Sequence, residues 1–131
     1  MRFTERELTA ALTGAAKSVF AAQDKSVRKG KRTADEAWAA LTPYGRFQLL
    51  DGLGSQLLPA LVALPDVEVE IGTRPTFTTE QVTAAVEEHA GDVGRMRRAV
   101  LVKARVALVQ LALSHVPPRQ DPDALIVPDH L

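Results

Sequence analysis

Residues 77–116 read FTTEQVTAAVEEHAGDVGRMRRAVLVKARVALVQLALSHV, and the interpretation of this stretch decides the fold. Thr78 followed three residues later by Gln81 forms a capping box, and Phe77 stands where it can staple onto Val82, so a helix starts here. Gly91-Asp92-Val93-Gly94 is a turn, with Asp92 in position to cap the helix that follows. That second helix spans about 94–116, carries Leu, Val and Ala around most of its circumference, and must stop at Pro117-Pro118. A helix so widely apolar is expected to be mostly buried.

The decamer that opens this stretch has a counterpart at the amino terminus. Phe77 to Val86 aligns without gaps on Phe3 to Leu12, with five identities and three conservative pairs. The copies diverge at once after Leu12, and one pair of short segments falls short of the three or more repeats a solenoid needs. The pair therefore reads as capping chemistry used twice. Thr4 with Glu7 caps a helix from Glu5 to about Gln23, whose apolar face is Leu8, Leu12, Ala15, Val19 and Ala22. Gly14 is a tolerable cost inside so long a helix, about 1 kcal/mol against Ala.

Between these ends, residues 25–32, KSVRKGKR, hold five basic residues and no apolar period, which predicts a basic loop. Thr33 and Glu36 cap a short helix to about Leu41 that relies on Trp38 for tertiary support. Pro43 starts a third helix in which Phe47, Leu50, Gly54, Leu57, Leu61 and Leu64 form a lengthwise seam, with Gly54 letting a partner helix come close. Pro59 predicts a kink or a restart. Residues 65–76 alternate as a strand would, but no second strand candidate exists, so they read as an extended connector. Residues 117–131 read as an irregular tail whose Leu125, Ile126 and Val127 are expected to dock.

The fold class expected is therefore all-α: a single-domain bundle of four to five helices over 1–131, with a long, mostly buried C-terminal helix and an extended C-terminal tail. Length and composition agree, since 131 residues with 46% apolar and 24% charged content suit one globular domain. Aromatics are only 5%, so Leu, Val and Ala must build the core.

Function is constrained mainly by exclusion. Sixteen basic residues balance sixteen acidic ones, which gives no whole-molecule pull toward nucleic acid or anionic lipid. The absence of cysteine removes disulfides, thiolate metal sites and a cysteine nucleophile, and fits a cytoplasmic protein. The run Ala99 to Val116 is interrupted by Lys103, Arg105, Gln110 and Ser114, against a membrane span. No phosphate loop or nucleophile elbow occurs, and the inward positions of the bundle are aliphatic, so neither enzyme activity nor a cofactor is expected. His89 with Asp92 lacks a second ligand pair, and no metal site is expected.

Three partner hypotheses follow. The first is a non-catalytic interaction or structural protein, a homodimer or a binder of another protein, because the last helix has more apolar circumference than three small neighbours cover. The second is nucleic-acid association. Residues 25–32 and 95–105 hold ten of the sixteen Lys and Arg residues, and Lys25, Arg28, Lys29, Lys31, Arg32, Arg95, Arg98 and Arg105 are the candidate phosphate contacts. Residues 81–99 resemble the first helix, glycine turn and second helix of Fis-type DNA-binding domains. Positions 100–113, VLVKARVALVQLAL, lack the second turn that such domains use to launch a recognition helix, so no DNA reader is expected. The third is a small-ligand or anion site around Arg105. On a helical wheel Arg105 lies opposite the polar stripe of Lys103, Gln110 and Ser114 and in line with Arg98, so it is either buried and paired with a carboxylate, the favoured reading, or snorkels out between apolar neighbours, with anion binding the lesser alternative.

Overall fold

The computed structural model describes residues 1–91 and 93–120. It contains six helices: α1 (Glu5–Gln23), α2 (Lys25–Arg28), α3 (Ala34–Ala40), α4 (Pro43–Ala63), α5 (Thr79–Glu88) and α6 (Arg95–Ser114). Five of them are seven residues or longer, and none of the described residues is in a strand. The all-α bundle is as the periodicity predicts. The extra helix is α2: part of the segment read as a basic loop coils into one turn, because the Asp24 side chain accepts from the Val27 amide at 3.1 Å and caps it.

The capping chemistry explains where the helices begin. All three capping boxes close, with Thr4 and Glu7, Thr33 and Glu36, and Thr78 and Gln81 each exchanging both side-chain-to-backbone bonds. Thr42 caps α4, with Pro43 in its first turn. The start of α6 departs from expectation, since Gly94 is its cap and no side chain contributes. Asp92, expected in that role, and the apolar tail residues Leu125 to Val127 lie outside the described residues.

The core is aliphatic and rich in alanine. Ala11 and Ala15 of α1, Leu57, Ala60 and Leu61 of α4, Val82, Ala85 and Val86 of α5, and Val102, Val109 and Ala112 of α6 are all buried in one cluster. α1 packs on α3, α4 and α6, while α5 bridges α4 and α6. Small side chains on α1 allow these close approaches. Its deepest positions are Glu7, Ala11, Ala15 and Ala16, whereas Leu8, Leu12 and Val19 are half-buried and Ala22 is exposed. Trp38 of α3 is buried edge-on against Phe20 of α1, ring centroids 6.5 Å apart, which is the support so short a helix needs.

The α4 seam is only half used. Gly54, Leu57, Leu61 and Leu64 are buried, but Leu50 is half-exposed and Phe47 is 61% exposed. α4 continues through Pro59 without stopping. Gly54 is not a point of close helix approach, because a Cβ there would meet only Leu58 Cδ1 of its own helix at 3.7 Å. Gly14 fills that role instead. A Cβ at Gly14 would lie 2.2 Å from His115 Cγ and 2.6 Å from its Cβ, so only glycine lets the end of α6 seat on α1.

Residues 65–76 form no strand and act as the connector expected of them. They pair with the chain beyond α6: the Gly72 amide donates to the Arg119 carbonyl and the Arg119 amide donates to Thr73, both at 2.8 Å. The expectation of a mostly buried last helix is not met. Within α6 only Val102, Val109 and Ala112 are buried, because α1, α4 and α5 all approach it from one side. No described helix is long and apolar enough to cross a membrane.

Candidate functional site

α6 has two apolar faces, and only one is covered. Val102, Val109 and Ala112 point into the core, flanked by half-buried Leu101, Arg105 and Leu108. Met96, Val100, Ala104, Ala107 and Leu111 follow at spacings of four, four, three and four. At about 100° per residue these five fall within a strip of roughly 80° on the other side of the helix. Met96 is 86% and Val100 71% exposed; Ala104 and Ala107 are exposed as well, and Leu111 is half-buried. The sequence shows both strips but cannot say which one the other helices take.

The basic candidates are divided by what they bond. In the first stretch, Arg32 donates from Nε to Ser26 Oγ at 2.8 Å and pairs with Asp24 at 3.5 Å. Asp24 also accepts from the Ser26 hydroxyl. The Ser26 and Val27 bonds, with the Arg32 charge, hold its carboxyl below its ordinary value despite some desolvation. Lys25, Lys29 and Lys31 line a shallow cleft of about 340 Å³ with Ser26, and Arg28 is exposed nearby on α2. In the second stretch Arg95 is exposed at the start of α6, a helix with no acidic residue. α2 and α6 share no extensive contact.

Arg98 and Arg105 perform a structural task. Arg98 donates to the carbonyls of Gly91 and Glu87, each at 3.3 Å, and Arg105 Nη1 donates to the His89 carbonyl at 3.2 Å. Both close the carboxyl end of α5, which has no basic residue in its own last turn. Cations there satisfy free carbonyls and the negative end of the helix dipole. The carboxylate partner expected for Arg105 is replaced by this carbonyl, and its Nε is buried with no partner among the described residues.

The same arrangement recurs elsewhere. Arg46 of α4 donates to the Leu41 carbonyl at 2.7 Å and, more weakly, to Trp38 and Ala39, closing α3. The Met1 ammonium donates to Val62 at 2.9 Å and to Leu64, closing α4, with Asp66 3.7 Å away. Neither α3 nor α4 carries a basic residue in its last turn. The deficit is visible in the sequence but does not by itself predict a closing cation, since α1 and α6 also lack a basic residue in the last turn and none of the described hydrogen bonds brings one to them.

The ion pair that sequence reasoning missed is Glu7 with Arg119. Glu7 is only 2% exposed, and both its oxygens accept from Arg119: Oε1 from Nη2 at 2.8 Å and Oε2 from Nε at 3.2 Å. Oε1 also takes the Thr4 amide at 2.8 Å. Burial pushes the carboxyl upward, but the Arg119 and Thr4 hydrogen bonds with the Arg119 charge overcome it, leaving the group below its ordinary value. At least one carboxylate is therefore drawn into the interior. The capping box was the only signal at Glu7, and it explains one of its three bonds.

No family model, curated protein or solved structure matches the chain.

Proposed function

We propose that this chain is a non-catalytic interaction protein that self-associates through the uncovered face of α6. The observation that supports this reading is the Met96–Val100–Ala104–Ala107–Leu111 strip, an apolar surface with helical spacing and no covering element among the described residues. Isolated exposed apolar residues need no explanation, whereas a contiguous strip marks an interaction surface.

A second copy is the occupant that fits. Two α6 helices crossing antiparallel about a two-fold axis near Ala104 set Met96 against Leu111 and Val100 against Ala107, so that apolar residues meet apolar residues along the crossing. Ala104 at the crossing point allows close approach. The antiparallel sense also keeps Arg95, Arg97 and Arg98 of the two copies at opposite ends of helices about 30 Å long, well beyond the ~8 Å screening length at physiological salt. A parallel pair would press these arginines together with no acidic residue on the helix to offset them.

Sedimentation velocity at tens of micromolar checks this. A species of twice the 14.2 kDa chain mass, converted to monomer by Val100→Asp, is the expected result. Monomeric wild-type protein across that range removes the proposal.

A second reading, nucleic-acid association, draws support from the cleft that gathers Lys25, Lys29 and Lys31. It requires salt-sensitive binding to duplex or single-stranded nucleic acid at low ionic strength, lost when these three lysines become glutamine. The reading of Arg105 as an anion site is weaker, because that side chain already closes α5.

A further inference from the structure

A different part of the molecule gathers polar side chains in a recess. The face of α1 bearing Ala10, Thr13, Gly14, Lys17 and Ser18, the first residues of α3, and His115 at the end of α6 line an open cleft of about 390 Å³. Ligand sites typically occupy about 300–1,000 Å³. Its small walls, Ala10, Gly14 and Ala34, leave room for a compact body. Its polar groups converge from three elements.

We propose that this cleft binds a compact organic anion, a carboxylate or a phosphate monoester on a small apolar body, with Lys17, Ser18 and His115 holding the charged end. Three observations carry the assignment. First, His115 is placed by a contact that glycine alone permits, as Gly14 leaves no space for a Cβ against the imidazole. The ring is thereby fixed with Nε2 toward Ser18, whose Oγ is 3.4 Å away. Second, that separation is at the loose end of hydrogen bonding, so the Ser18 hydroxyl and the fixed Nε2 lose little when a ligand oxygen replaces their mutual contact. Third, Lys17 donates to Asp35 at 3.1 Å, but the Asp35 side chain is 83% exposed. Exposed pairs of this kind contribute only about 0–1 kcal/mol. A ligand anion that displaces Asp35 from Lys17 into water meets little resistance.

The charges present also select among anions. Lys17 is the one lysine or arginine lining the cleft, and the Asp35 carboxylate beside it must turn out to water before an anion takes its place, which disfavours a highly charged polyanion. The ligand's anionic oxygens take the Lys17 ammonium, the Ser18 hydroxyl and the Nε2–H form of His115. Thr13 adds a hydroxyl at the wall. Two other concavities offer less. The groove of Leu12, Phe47, Leu50 and Leu58 has a single charged residue, Asp51, and the lysine cleft is lined by lysine and serine side chains, with no apolar residue among them.

Titrating the isotopically labelled full-length chain with benzoate and, separately, with inorganic phosphate provides the test, read from the His115 ring signals and the Lys17 and Ser18 amides. Saturable shifts confined to this cluster by either probe are expected, with benzoate alone indicating carboxylates and phosphate alone indicating phosphate monoesters. Lys17→Met should weaken the effective probe at least about tenfold, as loss of a charge-assisted contact does, and Lys17→Arg should retain it. Gly14→Ala, which evicts the imidazole, and Ser18→Ala, which leaves the packing intact, should each weaken it with the circular dichroism spectrum unchanged. The proposal is overturned by unsaturable shifts, by shifts spread over Lys25 to Arg32 as well, or by Lys17→Met binding as tightly as wild type.

Discussion

The inner and outer faces of α6 are nearly interchangeable in composition, yet one is core and the other is surface. Val102, Val109 and Ala112 on the inner face are at most 9% exposed, while Val100 on the outer face is 71% exposed. Both strips recur at helical spacing. What separates them lies outside the helix: α1 offers Ala11, Ala15 and Gly14, small enough for α6 to lie against it, and nothing among the described residues faces Met96 and Val100. Burial along a doubly apolar helix is thus set by the steric character of its neighbours.

The sharpest way to break this contrast is to place the same charge on each face. Val109→Asp should cost more than ~4 kcal/mol in urea denaturation, since it leaves an unpaired charge in a packed interior. Val100→Asp should change monomer stability by no more than about 0.5 kcal/mol while abolishing self-association. Equal destabilisation by the two substitutions would show that the outer face is covered within the monomer.

The inner face continues past the helix through Arg119, which returns to Glu7 on α1. Glu7→Gln should lose about 1.5–3 kcal/mol, the range for hydrogen bonds to charged groups, measured by denaturation at pH 7. The pH dependence has a definite sign. Because the folded carboxyl titrates below its ordinary value of 4.5, its contribution is complete above that value and disappears as pH falls through the lower folded value. Wild type minus Glu7→Gln stability should therefore shrink in acid below about pH 4.5 and stay constant above it.

A pair of glycine substitutions probes the contact between α6 and α1. Gly14→Ala forces His115 and the backbone that carries it away and should cost about 1–3 kcal/mol, as overpacking does. Gly54→Ala meets only its own Leu58 and should stabilise by up to about 1 kcal/mol through helix propensity. Paired thermal denaturation of the two variants should show shifts of opposite sign. The smallest effect belongs to the one cation on the inner face. Arg105→Ala should cost about 0.3–1 kcal/mol, the usual worth of a cation at a helix carboxyl terminus, seen as faster amide exchange in α5.

These two glycines also show how far the chain can be read without coordinates. Each lies in a helix among apolar residues, and the seam spacing around Gly54 made it the natural point of close approach. The structure reverses their roles because His115 is 101 residues from Gly14 in sequence, and no local pattern records which helix end arrives there. Arg105 teaches the same lesson. Its odd place on the wheel signalled an inward-facing cation, but its actual acceptor, a carbonyl at the end of α5, has no side-chain signature. Lys17, Ser18 and His115 were illegible as a cluster for the same reason, since each is ordinary within its own segment.

What the sequence alone determined is the number of the main helices and where most of them begin and end. Thr-x-x-Glu or Thr-x-x-Gln closes helix starts through bonds made within four residues, and prolines and glycines end or interrupt them by local sterics. What only the tertiary structure decided is which apolar strip of α6 is buried, which carboxylate is drawn inside, and which cations close which helix ends. Those outcomes depend on contacts between residues far apart along the chain, where the free energy of burying a side chain depends on the size and shape of neighbours that local spacing does not encode.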